Sequence, residues 1–355
     1  MILSGWQKMV AVVVVAGPLL AGCGAAANTS AGHSNASATK PAQLVLYSAQ
    51  GYDQAEATAF QKATGIKVKL DDMSTGPLLA KVQSEGTHPQ WDVIWFDGNE
   101  PMASLAQSNM LYTGYSPANL SRYNSLGRSL LPSNHAYFPT GVTAAAAIVY
   151  NKKAILKSEV PHTWKALLSS QFKGKIGMNN PAISGPTFPF VAGIFQEFGV
   201  AGGEKFFEQL KANGLHIYST NGDTVQALQS GAIDIGMIQD SAEWKLVQSD
   251  PNFGVVYPTS GVAMLPSDMA IAKNAPDLKA AELFVNFVLG PKGQQVMQDE
   301  TAAGSDSLFD PVIKGESALP ARGGNPSKWI NVNPVYGGEH QASWTQWFTT
   351  NIVGQ

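Results

Sequence analysis

Cysteine and arginine are scarce in this chain. It has 355 residues and one cysteine, Cys23, so a disulfide within the chain is excluded. Charged residues make up 14% of the sequence, whereas an average globular protein has about 25%. The arginines are Arg122, Arg128 and Arg322. A site that grips an anion with several guanidinium groups is therefore not expected.

Familiar catalytic and metal-binding patterns are missing as well. The sequence has no G-x-S-x-G elbow, no G-x-x-x-x-G-K-[ST] loop and no H-E-x-x-H motif. The histidines stand singly, which favours surface or structural roles over metal ligation. A formal net charge of -3 argues against nucleic acid as a partner. We expect a protein that is not an enzyme and that holds no cofactor and no metal.

The first 23 residues carry a targeting signal. Lys8 precedes an apolar run from Met9 to Leu20, and the run ends in a lipobox, Leu20-Ala21-Gly22-Cys23. The run is about 12 residues long, whereas a membrane-spanning helix needs roughly 20. This pattern predicts a cleaved signal peptide over residues 1–23 and lipid attachment at Cys23. The mature protein is then extracytoplasmic and anchored to the membrane by its lipid.

Small and polar residues fill positions 24–42, without aromatics or a periodic apolar pattern. Such a segment cannot bury enough surface to fold and is typical of a flexible tether. The rest of the chain exceeds the size at which a single hydrophobic core keeps growing. We therefore expect two lobes.

Strands and helices are predicted to alternate along the chain, which is typical of parallel sheets with helical crossovers. Apolar segments at 142–150 and 255–264 are predicted to cross between the lobes. The predicted fold is α/β with two lobes, each a mostly parallel sheet flanked by helices, joined by a hinge of two crossings. Lobe 1 comprises 43–141 and 262–310, lobe 2 comprises 142–261, and helices in 311–355 pack on one lobe through their aromatic residues.

Small or hydroxylated residues follow several predicted strands where a helix begins. Helix N-termini carry unpaired N–H groups and a partial positive charge, so several of them in one cleft bind an anion without arginine. The alternative is that these residues only cap their helices. The candidate ligand-binding residues of this kind are Ser48, Gln50, Tyr52, Ser74, Thr75, Gly76, Asp97, Asn99, Ser184, Gly185, Thr187 and Asn221.

Short motifs occur in an order that is specific as a set. They include Leu46-Tyr47-Ser48, Phe172-Lys173-Gly174-Lys175-Ile176-Gly177, Val225-Gln226-Ala227-Leu228 and Gly290-Pro291-Lys292-Gly293-Gln294. By these motifs the chain resembles the type II periplasmic solute-binding proteins of ABC importers, in the branch of ferric-ion and phosphonate binders. The resemblance implies a monomer that delivers a small solute to the transmembrane subunits of an ABC permease.

The resemblance also bears on iron. The family's ferric ligands, a histidine, a glutamate and two tyrosines, align with Gly51, Gly98, Ser241 and Ala242. None of these side chains supplies an imidazole, carboxylate or phenolate group. A shifted alignment that offers Tyr52, Asp97 and Asp240 stays open, and with it a ferric or ferric-chelate binder as the first alternative function.

The family's anion subsite, in contrast, has matching residues at Ser184-Gly185 and Asn221. The resemblance therefore implies a small anionic organic solute, such as a phosphonate or an organic phosphate. The second alternative is a surface hydrolase on the same fold. Aromatic and carboxylate side chains are expected around the organic part of the solute, and both an aminophosphonate and a sugar phosphate fit them: Tyr52, Trp95, Asp97, Asn99, Asp240 and Trp244.

Overall fold

Two β-sheets with helices on their faces organise the chain. The computed structural model describes residues 43–354. The predicted signal peptide, the lipid attachment at Cys23 and the tether at 24–42 lie outside the described residues. Among residues 43–354 no helix is both long enough and apolar enough to cross a bilayer.

The strands and helices are numbered in chain order. The strands are β1 (Gln43–Ser48), β2 (Lys67–Asp72), β3 (Val93–Asp97), β4 (Phe138–Ala144), β5 (Ile148–Asn151), β6 (Ile176–Asn179), β7 (His216–Tyr218), β8 (Ile235–Met237), β9 (Phe253–Val256), β10 (Val262–Ile271), β11 (Asp310–Pro311) and β12 (Trp329–Ile330). The helices are α1 (Asp53–Thr64), α2 (Thr75–Glu85), α3 (Asn99–Gln107), α4 (Ser125–Leu130), α5 (Thr187–Phe198), α6 (Val200–Ala212), α7 (Asn221–Ser230), α8 (Asp240–Ser249), α9 (Leu278–Val288), α10 (Pro291–Met297), α11 (Glu300–Ala303) and α12 (Pro334–Phe348).

Local sequence explains the helix ends. Helix α1 has Asp53 and Glu56 in its first turn and Lys62 in its last, which suits the helix dipole. It stops at Gly65, whose φ of 76° lets its N–H bond back to Gln61 O. Apolar residues at helical spacing over 53–64, followed by Gly65, are the sequence signal for this helix and for its end.

The first sheet has the strand order β11-β4-β10-β3-β1-β2, and β12 pairs with β10. The second sheet has the order β7-β6-β8-β5-β9. Both sheets are mixed rather than mostly parallel. Strands β1, β2 and β3 run parallel, but β10 runs antiparallel to β3 and β4, and β5 runs antiparallel to β8 and β9. The antiparallel pairs involve the strands that take the chain from one sheet to the other.

The chain crosses between the sheets twice. The segment at 142–150 is not one long strand, because Ala145, Ala146 and Ala147 separate β4 in the first sheet from β5 in the second. The return runs from β9 to β10. These two links are the hinge of the molecule. The lobe boundaries predicted at 141/142 and 261/262 stay predictions.

The C-terminal helix α12 touches both halves. It packs against α3, beside the first sheet, and against α5, beside the second. Trp344 and Phe348 are buried in the second sheet's core, where Trp344 meets Phe195 edge to face with ring centroids 5.0 Å apart. The aromatic residues of the tail thus serve packing, as the sequence indicated, but the tail is not confined to one lobe.

Candidate functional site

A polar cavity of about 240 Å³ lies between the two sheets, beyond the carboxyl ends of several parallel strands. Residues from both sides of the hinge line it. Six of them belong to the predicted set, namely Ser74, Thr75, Asp97, Ser184, Gly185 and Asn221. The others are Ala49, Pro186, Thr220, Gly222, Gln239, Ser305 and Asp306.

Three helices begin at this cavity: α2, α5 and α7. In each, the first-turn N–H groups precede the first intrahelical acceptor and need another partner. Thr220 caps α7 in a capping box with Asp223, whereas the Ser74 side chain makes no cap hydrogen bond to α2. The cap hydroxyl predicted for α2 is therefore not used as one. Three partial positive charges converge on a space that no lysine or arginine lines.

On the side of the second sheet, the cavity wall is formed by the turn before α5 and by the start of α7. The buried amide of Asn179, at the end of β6, holds these two segments in place. It satisfies the surrounding donors and acceptors when Nδ2 donates to Thr220 O (2.9 Å) and to Thr224 Oγ1 (2.7 Å). Its Oδ1 then accepts from the Ser184 hydroxyl (3.2 Å) and from the Asn221 N–H (3.3 Å). The turn before α5 and the start of α7 are thus held together before any solute arrives.

The opposite wall is acidic. Asp97, at the end of β3, accepts hydrogen bonds from Gln50 Nε2 (2.9 Å) and Ser267 Oγ (2.5 Å). Asp306 accepts from the Gly51 N–H at 2.6 Å. Burial, with the nearby charge of Asp306, raises the pKa of Asp97 to about 6. Burial also raises the pKa of Asp306. Two carboxyl groups on the side of the first sheet therefore line the cavity together with the starts of α5 and α7 on the side of the second sheet.

The two walls meet at close range. The Gly76 N–H donates to Ile183 O at 3.1 Å, and Gln239 Nε2 lies 3.3 Å from Asp97 Oδ2. A Cβ added at Gly185 would lie 2.3 Å from Thr75 Oγ1. The cleft is closed in this structure, and the closure depends on Gly185 having no side chain.

Five predicted residues support the cavity without lining it. Ser48 is fully buried and its hydroxyl accepts from the Gln50 N–H at 3.2 Å. Gln50 orients Asp97, and the Gly76 backbone joins the two walls. Tyr52 packs on Trp95 in the core, with ring centroids 4.8 Å apart. Thr187 is buried in the first turn of α5.

Three others lie elsewhere. Asn99 lines a different cavity, near α4 and the tail. Asp240 is fully buried and pairs with Arg322 at 2.9 Å. Trp244 donates to Tyr257 OH at 2.9 Å and packs against the tail at Gly323. The structure therefore does not bring Tyr52, Asp97 and Asp240 together as one open ligand set, and among residues 43–354 no group of three or more His, Cys, Asp or Glu side chains is placed to hold a metal ion.

Thr220, Gln239, Ser305 and Asp306 are polar cavity residues that sequence reasoning missed. Gln239 is two residues after β8 and directly before α8. Its position matches the other turns, but its side chain is neither small nor hydroxylated. Asp306 follows Gly304-Ser305 in a short turn after α11. No local pattern marks it, because only the fold brings it near Asp97.

Comparison with known proteins decides the family. Residues 92–336 match the family model described as bacterial extracellular solute-binding protein. The chain belongs to this family.

Relatives of this solute-binding protein differ in what their names say they bind. A putative 2-aminoethylphosphonate-binding periplasmic protein of Salmonella paratyphi A is 24% identical over 68% of the chain and 70% of the relative. The major ferric iron-binding protein of Neisseria meningitidis serogroup B is 26% identical over 72% of the chain and 78% of the relative.

Solved structures of periplasmic binding proteins share the fold. AfuA from Actinobacillus pleuropneumoniae, with bound fructose-6-phosphate, has a TM-score of 0.77 at 18% identity, covering 89% of this chain and 100% of that chain. Iron-bound HitA from Pseudomonas aeruginosa has a TM-score of 0.74 at 25% identity, covering 86% of this chain and 99% of that chain. The fold is therefore the two-lobed α/β fold of periplasmic binding proteins.

Proposed function

We propose that this solute-binding protein captures a small organic phosphonate or phosphate in the cavity between its sheets and delivers it to an ABC permease. Three converging helix N-termini carry the proposal, because they offer backbone N–H groups to a tetrahedral anion where no cationic side chain competes. The lipid on Cys23 would keep the monomeric protein at the extracytoplasmic membrane surface.

The two carboxyl groups of the cavity narrow the choice of solute further. A bare phosphate that filled the space would face Asp97 and Asp306, and carboxylates repel an anion. A solute with an ammonium group at its other end places one charge on each wall. We therefore favour a zwitterionic aminoalkylphosphonate, and the name of the Salmonella relative supports the same chemistry. A sugar phosphate, whose hydroxyls donate to carboxylates, is the second candidate.

A cavity of about 240 Å³ limits the size of the solute. At ~30 Å³ for each water molecule of liquid volume, the space equals about eight waters. A two- or three-carbon aminophosphonate fits within this volume.

A thermal-shift panel tests the proposal, because a ligand that binds the folded state raises its melting temperature by mass action. The panel contains 2-aminoethylphosphonate, ethylphosphonate, ethylamine, fructose 6-phosphate and ferric citrate at equal concentration. We expect the largest shift with 2-aminoethylphosphonate, a smaller one with ethylphosphonate and none with ethylamine. A shift with ferric citrate alone, together with visible colour, would replace the proposal by the iron-binding alternative. Turnover of a phosphoester by the purified protein would replace it by the hydrolase alternative.

A further inference from the structure

A second cavity lies at the start of α3, and it shares no lining residue with the solute site. Its volume is about 270 Å³. Its polar end is formed by the start of α3, and its apolar walls come from α4, from β10 and from the segment before α12. The lining residues are Asn99, Glu100, Leu126, Ser129, Leu130, Met264, Pro266, Asn331, Val332 and Pro334.

Glu100 is the unusual group in this cavity. Only 3% of the residue is exposed, and its carboxyl group has no partner other than its own backbone N–H. No ion pair within residues 43–354 involves it. A buried carboxylate without a cation is costly unless something pairs with it. Glu100 lines the cavity, so a ligand held there can reach its carboxyl group.

The surroundings of Glu100 add acceptors and no cation. Asn99 Oδ1 is buried without a hydrogen-bond partner. Asp268, on β10, is fully buried, and neither of its carboxyl oxygens has one. Burial raises the pKa of Glu100 to about 7. Of these three residues, Asn99 and Glu100 line the cavity. Its polar end therefore has hydrogen-bond acceptors in excess, and a ligand that supplies donors and positive charge complements it.

The remaining walls are apolar, and close packing of α12 against α3 holds one of them in place. Glycines in the interior of a helix cost roughly 1 kcal/mol each relative to alanine. Helix α12 has two, Gly337 and Gly338, and a Cβ at Gly337 would lie 2.5 Å from Glu100 Cγ. The pair lets α12 approach α3 closely, so the tail closes one side of the cavity. Ser129 and Asn331 are exposed and form its rim.

We propose that this cavity is a second ligand site, distinct from the solute cleft, that takes a small primary amine with an apolar body. The ammonium group pairs with Glu100, and the apolar body contacts Leu126, Leu130 and Val332. The ligand also touches Met264 and Pro266 on β10, the strand that returns the chain to the first sheet. Its occupancy is thus placed to influence the hinge.

The test uses benzylamine, benzyl alcohol and benzoate, which share a shape and differ in charge. Isothermal titration of the whole protein should show saturable one-to-one binding of benzylamine, at least 10-fold weaker binding of benzyl alcohol and none of benzoate. Glu100→Gln keeps the shape of the side chain and should lower the affinity for benzylamine at least 10-fold. Ser129→Trp should block the rim to a similar extent, whereas Ser125→Trp, on the same helix outside the cavity, is the matched control and should bind normally.

Two results would overturn the proposal. One is equal benzylamine affinity in wild type and in Ser129→Trp. The other is loss of benzylamine binding in Asp97→Asn with retention in Glu100→Gln, which would place the amine in the solute cleft. Because Asp97→Asn leaves the second cavity intact, failure of the cleft assignment and failure of this proposal are distinguishable. A folded fraction measured by circular dichroism for each variant keeps loss of binding separate from loss of structure.

Discussion

At the scale of single residues, Asp97 is the group that distinguishes our favoured solute from a plain anion. It lines the cavity on the side of the first sheet, whereas α5 and α7 begin on the side of the second. Three side chains hold its orientation: Gln50, Ser267 and Gln239. Its carboxyl group offers an ammonium group a charged acceptor that an amide lacks.

Asp97→Asn should therefore lower the affinity for 2-aminoethylphosphonate by roughly 10-fold to 100-fold. This range corresponds to the loss of one charged hydrogen bond of about 1.5–3 kcal/mol. The same change should leave ethylphosphonate binding equal or slightly tighter, since it removes a repulsion. Calorimetric titration of both ligands checks this. A parallel loss for both would show that Asp97 shapes the site rather than reading the amino group.

Buried acids make the stability of the fold depend on pH. Burial raises the pKa of Asp53 and Asp97 to about 6 and that of Glu100 to about 7. It also raises the pKa of Glu56, Glu243 and Asp268 well above their usual values. In each case the folded pKa lies above the unfolded one, so the unfolded chain loses its protons first as pH rises.

Stability from these groups is complete below about pH 4 and is lost as pH rises through 6 and 7. The free energy of unfolding in urea should be lower at pH 7.5 than at pH 5, by roughly 1–2.5 kcal/mol for each of Asp53, Asp97 and Glu100. Glu100→Gln should reduce this difference, because its side chain no longer titrates. A free energy of unfolding that rises between pH 5 and pH 7.5 would contradict the view that these acids are buried without a cationic partner.

At the scale of elements, closure depends on the start of α2 meeting the turn before α5. The segment 180–190 contains three prolines and one glycine, which restrict the backbone around Ser184 and Gly185. The structure adds the reason for Gly185, since any side chain there would collide with Thr75 across the cleft.

Gly185→Ala should hold the cleft partly open and lower the affinity for the solute by about 10-fold or more. The melting temperature of the protein without solute should change little. Thr75→Ala on the same background removes the hydroxyl and should restore part of the affinity. Gly222→Ala is the matched comparison, since its Cβ would come no nearer than 3.7 Å to Thr220 Oγ1, and its loss should be much smaller. Small-angle scattering of Gly185→Ala with saturating solute should still show an open form. A fully closed form with wild-type affinity would contradict the role given to the glycine.

Element positions were largely predictable from sequence, and element pairing was not. Strand β1 and helix α1 have the predicted bounds because an apolar run and a helical period with a glycine stop are local signals. Long-range contacts set the rest. The antiparallel placement of β10 between β3 and β4 has no signature in its own sequence, and neither has the meeting of Asp97 with Asp306.

The same distinction explains the site residues. Ser184, Gly185 and Asn221 stand at helix starts that the sequence marks with prolines, a glycine and a cap, and they line the cavity. Asp240 and Trp244 also stand in the first turns of a helix, α8, but they do not line the cavity. Asp240 pairs with Arg322, and Trp244 donates a hydrogen bond to Tyr257. Nothing near residue 240 in sequence indicates that an arginine more than 80 residues later is its partner.

At the scale of the whole molecule, the tail fastens the two halves near the hinge. Arg322 has 1% of its side chain exposed and pairs with Asp240 at the start of α8 and with Asp310 on β11. It also donates to Leu308 O at 2.9 Å. One guanidinium group therefore joins β11 of the first sheet to α8 beside the second sheet.

Arg322→Ala leaves Asp240 buried without its cation, which typically costs about 3–5 kcal/mol. We expect a loss of stability of that order in urea unfolding. The exposed pair Lys245–Glu300 is the contrast: at 37% and 35% side-chain exposure, its removal by Lys245→Ala should cost below about 1 kcal/mol. Equal small effects of the two changes would show that the tail is not a structural fastener.

The central claim is that the cavity between the sheets binds a zwitterionic organophosphonate, and one titration tests it most directly. Calorimetry of 2-aminoethylphosphonate into the purified protein, freed of bound solute by mild unfolding and refolding, should give one site per chain with a dissociation constant in the micromolar range or tighter. Absence of binding by 2-aminoethylphosphonate, with one-to-one binding of ferric ion in the same protein sample, would contradict the account.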